Sequence, residues 1–452
     1  MTPVSITKPT KTAQQTRSGL RPFNFTRDQI PIVTDGVLHT YRSLAWEAYE
    51  NLPFPTLKDE PWRRTDIRGL KTTQFILPEV DNPSDDQLLP LSCMNVMSKD
   101  EGIAGQIISG KTKPVREINP ELVEKGVVFE HFHTAEIEHP GLLGKLLGQI
   151  VKPDEDKFTA LAAALAQNGV LLYVPRGIVV ELPFHSVYCG AGKDQAFLNH
   201  LVVWLEDGAQ ATFLHESTSP SEDGDGQLMH AGIVEIHVGQ AAQLNFVELQ
   251  SWGDHVWSFT RERAQVHQDG KLEWIVGATG THLTKNFADI ELVEPGAACR
   301  MSGFYFTNGN QHLDHDTQQN HLAKNTTSDL LFKGALVDKS RSVWQGMIYV
   351  APGAVGTDGY QANRNLILSK GARADSIPGL EILADDVRCT HGATVGKIDE
   401  NEMFYLLSRG IPRKEAERLI ITGFFAPIMD RIPFEGVQNR LAQAIREKMA
   451  DR

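Results

Sequence analysis

The segments Val202-Val-Trp-Leu-Glu-Asp-Gly-Ala-Gln-Ala-Thr-Phe-Leu214 and Val234-Glu-Ile-His-Val-Gly-Gln-Ala-Ala-Gln-Leu-Asn-Phe-Val247 decide the fold class. In each, a β-rich run enters a turn at Gly208 or Gly239 and resumes beyond it, with the period of two that places alternate side chains on opposite faces of a strand. Gly177, Gly208, Gly239 and Gly270 recur at a spacing of 31, and Gly296, Gly353 and Gly371 mark similar turns less regularly. Self-similarity at such a period indicates stacked units, none of which can bury its apolar face without its neighbours. Helical periodicity is almost absent here, which removes the helical solenoids. A propeller blade of about 40 to 50 residues is longer than this unit. The reading is mainly β, a β-solenoid, with an evenly turned β-sandwich as the alternative.

Working outward, the period changes to 3.6. Upstream, Leu38, Tyr41, Leu44, Ala45 and Ala48 form one helical stripe with Asp35 as its candidate N-cap, and Phe158 to Gly169 is a second helical patch that ends on Gly169 as its expected C-cap. Between them, Pro- and Asp-rich stretches such as Asp81 to Asp86 mark loops. Downstream, Asp399 to Glu402 form a capping arrangement for a helix over Met403 to Ser408, Gly410 suits a left-handed terminator, and Pro412 opens a helix through Ile421. Val437, Leu441, Ala444, Ile445 and Met449 give a last helix one apolar face. The expected organisation is a tail over 1–27, a mainly helical part over 28–157, a β core over 158–396 and a helical part over 397–452.

Composition narrows the function. With 57 acidic against 44 basic residues the net charge is −13, which opposes phosphate backbones and anionic lipid, so nucleic acid and membrane are poor partners. No run of about 18 apolar residues is present to span a bilayer. The first 27 residues hold no Asp or Glu, a composition that fits a plain tail or a short organelle transit peptide. Cys93, Cys189, Cys299 and Cys389 lie far apart without CxxC spacing, so neither a structural zinc site nor a disulfide framework is expected. Phosphate-loop, nucleophile-elbow, HExxH and dinucleotide motifs are all missing.

Two clusters carry candidate chemistry. His312, Asp314, His315, Asp316 and His321 offer imidazole and carboxylate ligands within ten residues, but strand parity turns His315 and His321 one way and His312 the other. Cys389 and His391 are two apart, so an extended segment points both to one side, and a thiolate beside an imidazole suits soft metals or sulfur. Two ligands do not complete a metal site.

The stretches Asn363-Arg-Asn-Leu-Ile-Leu-Ser369, Pro378-Gly-Leu-Glu-Ile382, Ala384-Asp-Asp-Val-Arg-Cys-Thr-His-Gly-Ala-Thr-Val-Gly396 and Phe404-Tyr-Leu-Leu-Ser-Arg-Gly-Ile411 resemble the SufB/SufD family of iron–sulfur cluster assembly proteins, as does Glu60-Pro-Trp-Arg-Arg-Thr-Asp66 near the N-terminus. The resemblance is to the D branch. The B branch reads His-Glu-Ala-Thr where this chain has His391-Gly392-Ala393-Thr394, and carries a cysteine where this chain has Ile382.

The resemblance implies a right-handed parallel β-helix core flanked by N-terminal and C-terminal helical domains. It implies a non-catalytic scaffold or accessory subunit of the SUF complex, paired with SufB through the core, with a homodimer when alone as the other state, and docking the SufC ATPase through its C-terminal helices. His391 then stands at the cluster-assembly interface as a candidate metal ligand or proton carrier, with Cys389 in support, and Arg409, Phe424 and Phe425 as candidate contacts to the ATPase. No cofactor is expected to be tightly bound, and a transient iron–sulfur cluster would form at the interface with SufB. The cytoplasm is the expected location, with a plastid stroma as the alternative. Rival readings are a β-helix protein that binds or modifies polysaccharide and a metal-storage protein built on the His312 to His321 cluster.

Overall fold

The computed structural model describes residues 18–31, 36–78, 102–110, 114–190, 192–219 and 226–450; Asp35, the stretch from Asp81 to Asp86 and Cys93 lie outside them. Among the described residues, strands alternate between a ten-stranded and a nine-stranded sheet, so that each pair of consecutive strands makes one rung of a parallel β-solenoid. The rungs begin with β4 (Asn168–Val174) and β5 (Phe184–Cys189) and end with β18 (Arg373–Ile382) and β19 (Arg388–Gly396), about eight in all. At the first rung, β2 (Val115–Ile118) pairs antiparallel with β1 (Gly105–Ser109), and β3 (Val128–His131) pairs antiparallel with β4.

The glycine period is an approximation to the real repeat. Trp257 pairs with Leu283, 26 residues on, whereas Ala196 pairs with Met229, 33 residues on. The turns leading from the nine-stranded to the ten-stranded sheet each need a left-handed residue, supplied by Gly177 and Gly208 but then by Ala241 and Asp269, each with φ of 55°. Gly239 and Gly270 adjoin those positions and are needed for room, because a Cβ on Gly239 would lie 2.8 Å from the Asp207 backbone nitrogen.

Between the sheets runs an apolar core that includes Phe184, Phe213, Phe246, Trp274 and Leu330 on one inner face and Leu201, Val234, Ile236 and Ile290 on the other. The outer face of the nine-stranded sheet is covered by α1 (Val37–Asn51) and by the later helix Lys157–Leu165, together with Trp62. The buried stripe of α1 is Leu38, Arg42, Ala45, Trp46 and Tyr49, while Leu44 is exposed. The helix is rotated from its apolar pattern because Arg42 enters the core, where it donates to the carbonyls of Pro31 and Ala166. Helix Lys157–Leu165 is capped by Asp156 and stops at Ala166, and Gly169 sits inside β4 instead, where the Phe132 ring leaves no space for a Cβ.

A buried carboxylate ties this covering layer to the sheet. Glu235 accepts hydrogen bonds from the backbone N–H groups of Gly148, Ile150 and Val151 at 2.8, 2.7 and 3.0 Å, and lies 2.8 Å from His200 Nε2.

The outer face of the ten-stranded sheet is covered by two C-terminal helices, Arg413–Met429 and Glu435–Ala450, whose Ile421, Phe425, Val437, Leu441 and Ile445 pack on Leu214, Ile275, Phe304 and Phe306. The first of them runs past Ile421 through Pro427. Arg440 pairs with Glu216, and Lys448 Nζ donates to the Phe306 carbonyl at 2.8 Å. These helices therefore lie along the side of the solenoid, and its last rung is left uncovered by them.

Candidate functional site at the open end of the solenoid

Strand β19 is the last of its sheet, hydrogen-bonded only to β17 (Asp358–Ile367), and β18 is the last of the other. Their residues are exposed or half-buried throughout, in contrast to the rungs behind them. Leu380, Ile382, Leu383 and Val395 bring apolar surface to this end, at 37%, 39%, 51% and 48% exposure. A row of unpaired backbone groups beside apolar side chains is a template for another strand.

The two residues singled out by parity come together here. Cys389 pairs in register with Gly359 and His391 with Gln361, whose side chain is buried and bonds the carbonyls of Gly346 and Gly379. Cys389 packs against Ile348, Val350 and Ala354 inside the solenoid, and a Cβ on its register neighbour Gly359 would lie 3.3 Å from Cys389 Sγ, a tight contact that glycine avoids. His391, two residues on, has the same inward parity but no rung beyond it, so its ring is exposed at the solenoid's mouth. Burial pushes the Cys389 thiol above its ordinary value, so at neutral pH it is a thiol that must release its proton to solvent before it can bind a metal.

Three residues after β19, the helix Glu400–Ser408 stands away from the core, with Asp399 as its N-cap and only Met403 buried. Phe404 and Tyr405 are 70% and 57% exposed, and Leu407 on the same helix and Leu419 on the next are exposed as well. Gly410 takes the left-handed conformation, with φ of 81°. The Arg409 guanidinium lies 5.1 Å from the centre of the Tyr405 ring.

The two other candidate contacts are placed differently. Phe425 is fully buried between Phe304 and Phe306, so its ring holds the helix to the sheet and is not offered to a partner. Phe424 is partly buried, with Lys333 Nζ 4.8 Å from its ring centre and bonded to its carbonyl. Phe404 and Tyr405 are adjacent aromatics in the stretch that carries the family resemblance, and their exposure emerges only from the fold.

The His312 to His321 cluster is dispersed as its parity requires. His312 faces outward, 2.9 Å from Thr65 Oγ1, and Asp314 accepts from Thr65 and lies 3.1 Å from Lys285 Nζ. His315 faces inward beside Tyr305, and His321 is held by Thr326 and Ser328. Burial holds all three imidazoles neutral, at about 3 for His312 and about 4 for His315 and His321. Among the described residues no three His, Cys, Asp or Glu side chains are grouped to hold a metal. His312 and Asp314 hold the Trp62 segment through Thr65, and Lys285 sits against the rings of Trp62 and Phe287.

Comparison with known proteins agrees with this architecture. Residues 188–424 match the family described as SUF system FeS cluster assembly, SufBD core domain, and residues 20–185 match the SufBD protein N-terminal region. The chain belongs to the SufB/SufD family of iron–sulfur cluster assembly proteins. It is 32% identical over 419 residues to the iron–sulfur cluster assembly protein SufD of Bacillus subtilis, covering 91% of this chain and 94% of that one. A SufBD family protein of Staphylococcus epidermidis is 27% identical over 315 residues, covering 70% of this chain and 67% of that one. None of the described helices is long and apolar enough to cross a membrane.

Proposed function

We propose that this chain is the SufD-type scaffold subunit of a SUF assembly complex, that it pairs with SufB through the open end of the solenoid, and that it acts without catalysing a reaction of its own. The observation that carries the reading is the uncovered last rung, which presents an unpaired strand edge, apolar side chains, and His391 beside Cys389 at one place. A strand from SufB added to β18 or β19 would seal the mouth and bring its own ligands to His391. The nascent cluster is the cargo, and an imidazole nitrogen together with a thiol that releases its proton to solvent as it binds metal suits iron.

The exposed Phe404, Tyr405, Leu407 and Leu419, with Arg409 beside Tyr405, make the proposed dock for the SufC ATPase, with the partly buried Phe424 as a further contact and Phe425 excluded. On this reading 28–157 is a covering domain, 158–396 the core and 397–452 the docking domain, in a cytoplasmic protein. Family membership turns against the polysaccharide reading.

Anaerobic co-purification of the tagged chain with SufB and SufC, followed by cluster reconstitution, tests this. The three proteins should co-purify, and His391→Ala should keep the complex while losing cluster formation. A chain that binds neither protein overturns the reading.

A further inference from the structure

Deep inside the solenoid, far from its mouth, two acidic side chains face each other without a cation. Glu248 on β9 (Gln243–Ser251) and Glu262 on β10 (Val256–Val266) come from opposite sheets and both line an interior cavity of about 30 Å³. Glu262 is wholly buried. Its Oε1 accepts a hydrogen bond from Asn286 Nδ2 at 2.6 Å, while Oε2 has no partner, and Oε2 of Glu248 has none either.

No lysine or arginine lines the cavity. The titratable groups facing it from the other strands are His215, His230 and His315, which burial holds neutral at about 3, 3 and 4. His230 is occupied on both nitrogens by Asn199 and Ser258. Across the sheet, on the outer face, Asp289 adds a further negative charge that acts on Glu262.

Two ionised carboxylates held together inside the solenoid, among neutral polar side chains and with no counter-charge, are not stable together. One proton between them removes one charge and joins the two groups by a strong hydrogen bond. The cavity exceeds the ~15 Å³ that one water needs, and the two unpartnered oxygens are acceptors for it.

We propose that this chamber is a proton-binding site, in which Glu248 and Glu262 share one proton beside enclosed water. On release the proton passes to solvent water and both carboxyls become carboxylates; on uptake the pair returns to one carboxylic acid bonded to one carboxylate. The shifts agree with this arrangement. Burial, then the charge of Glu248's partner, raises Glu248 well above the ordinary carboxylate range, and burial raises Glu262 to about 7.

Infrared spectroscopy of the full chain tests the proposal, because a protonated carboxyl has a carbonyl stretch that carboxylates lack. At neutral pH the wild type should show that band, and Glu248→Gln/Glu262→Gln should lose it. Unfolding at slightly alkaline pH should release about one proton fewer from the double variant than from the wild type. If the double variant does not fold, the wild-type band alone decides: it should persist at neutral pH and vanish only on alkalinisation. Absence of the band at neutral pH overturns the proposal, as does stabilisation of the wild type, but not the variant, by added sodium, potassium or calcium, which would make the chamber a cation site.

Discussion

Replacing Glu235 by leucine should release the loop over 148–151 from the sheet. The carboxylate is fully buried and serves four donors, the amides of Gly148, Ile150 and Val151 and the ring nitrogen of His200. Leucine matches its size without an acceptor, so each donor keeps its desolvation cost and loses its bond. At the low end of about 1 kcal/mol per unsatisfied group, the four give a loss of about 4 kcal/mol. Hydrogen exchange resolves where the loss falls. Amides of Gly148, Ile150 and Val151 should exchange faster by more than about a hundredfold, since about 1.4 kcal/mol is a factor of ten. Amides of β14 (His312–His321) and β16 (Arg341–Val350), several rungs away, should keep their wild-type rates. Destabilisation under about 1 kcal/mol with those three amides still protected would refute the idea that the carboxylate is the clamp.

The two aromatic pairs of the C-terminal helices should separate stability from docking. Phe425→Ala should cost about 3–5 kcal/mol in urea unfolding, as a buried ring is lost. Phe404→Ser/Tyr405→Ser should change stability by no more than about 0.5 kcal/mol yet abolish co-purification with SufC. Acid should weaken the fold through its buried imidazoles. His185, His215, His230 and His237 are each pushed down to about 3 by burial, so between about pH 6.5 and 3 the unfolded chain binds protons that the folded chain does not. Stability therefore falls as pH falls through that window, by up to about 1.4 kcal/mol per pH unit for each imidazole, and urea midpoints at pH 7 and pH 5 should show it. The raised Glu262 works the other way between about pH 4.5 and 7, and only partly offsets the histidines.

The solenoid was legible in the sequence because stacking makes every rung repeat one pattern, and Gly177 and Gly208 mark its turns. It was legible only approximately: a left-handed turn residue can be Ala241 or Asp269 as well as glycine, so glycine spacing does not measure the rung. Parity placed Cys389 and His391 on one face and divided His312 from His315 and His321, since a period of two survives any register. Pairing of Glu248 with Glu262 was not legible, because contacts between opposite sheets depend on the lengths of intervening turns. Nor was the burial of Phe425, whose neighbours Phe304 and Phe306 lie over a hundred residues away in sequence. The rotation of α1 followed from Arg42, an exposed residue in any hydropathy reading, finding two carbonyls inside.

The solenoid's two ends are unlike. One is finished by the chain's own short antiparallel strands, and the other stops at β18 and β19 with their outer edges free. A block with one adhesive end can join one other block and is then exhausted. Two such ends meeting face to face consume each other, so growth halts at a pair where a solenoid free at both ends would propagate into a fibre.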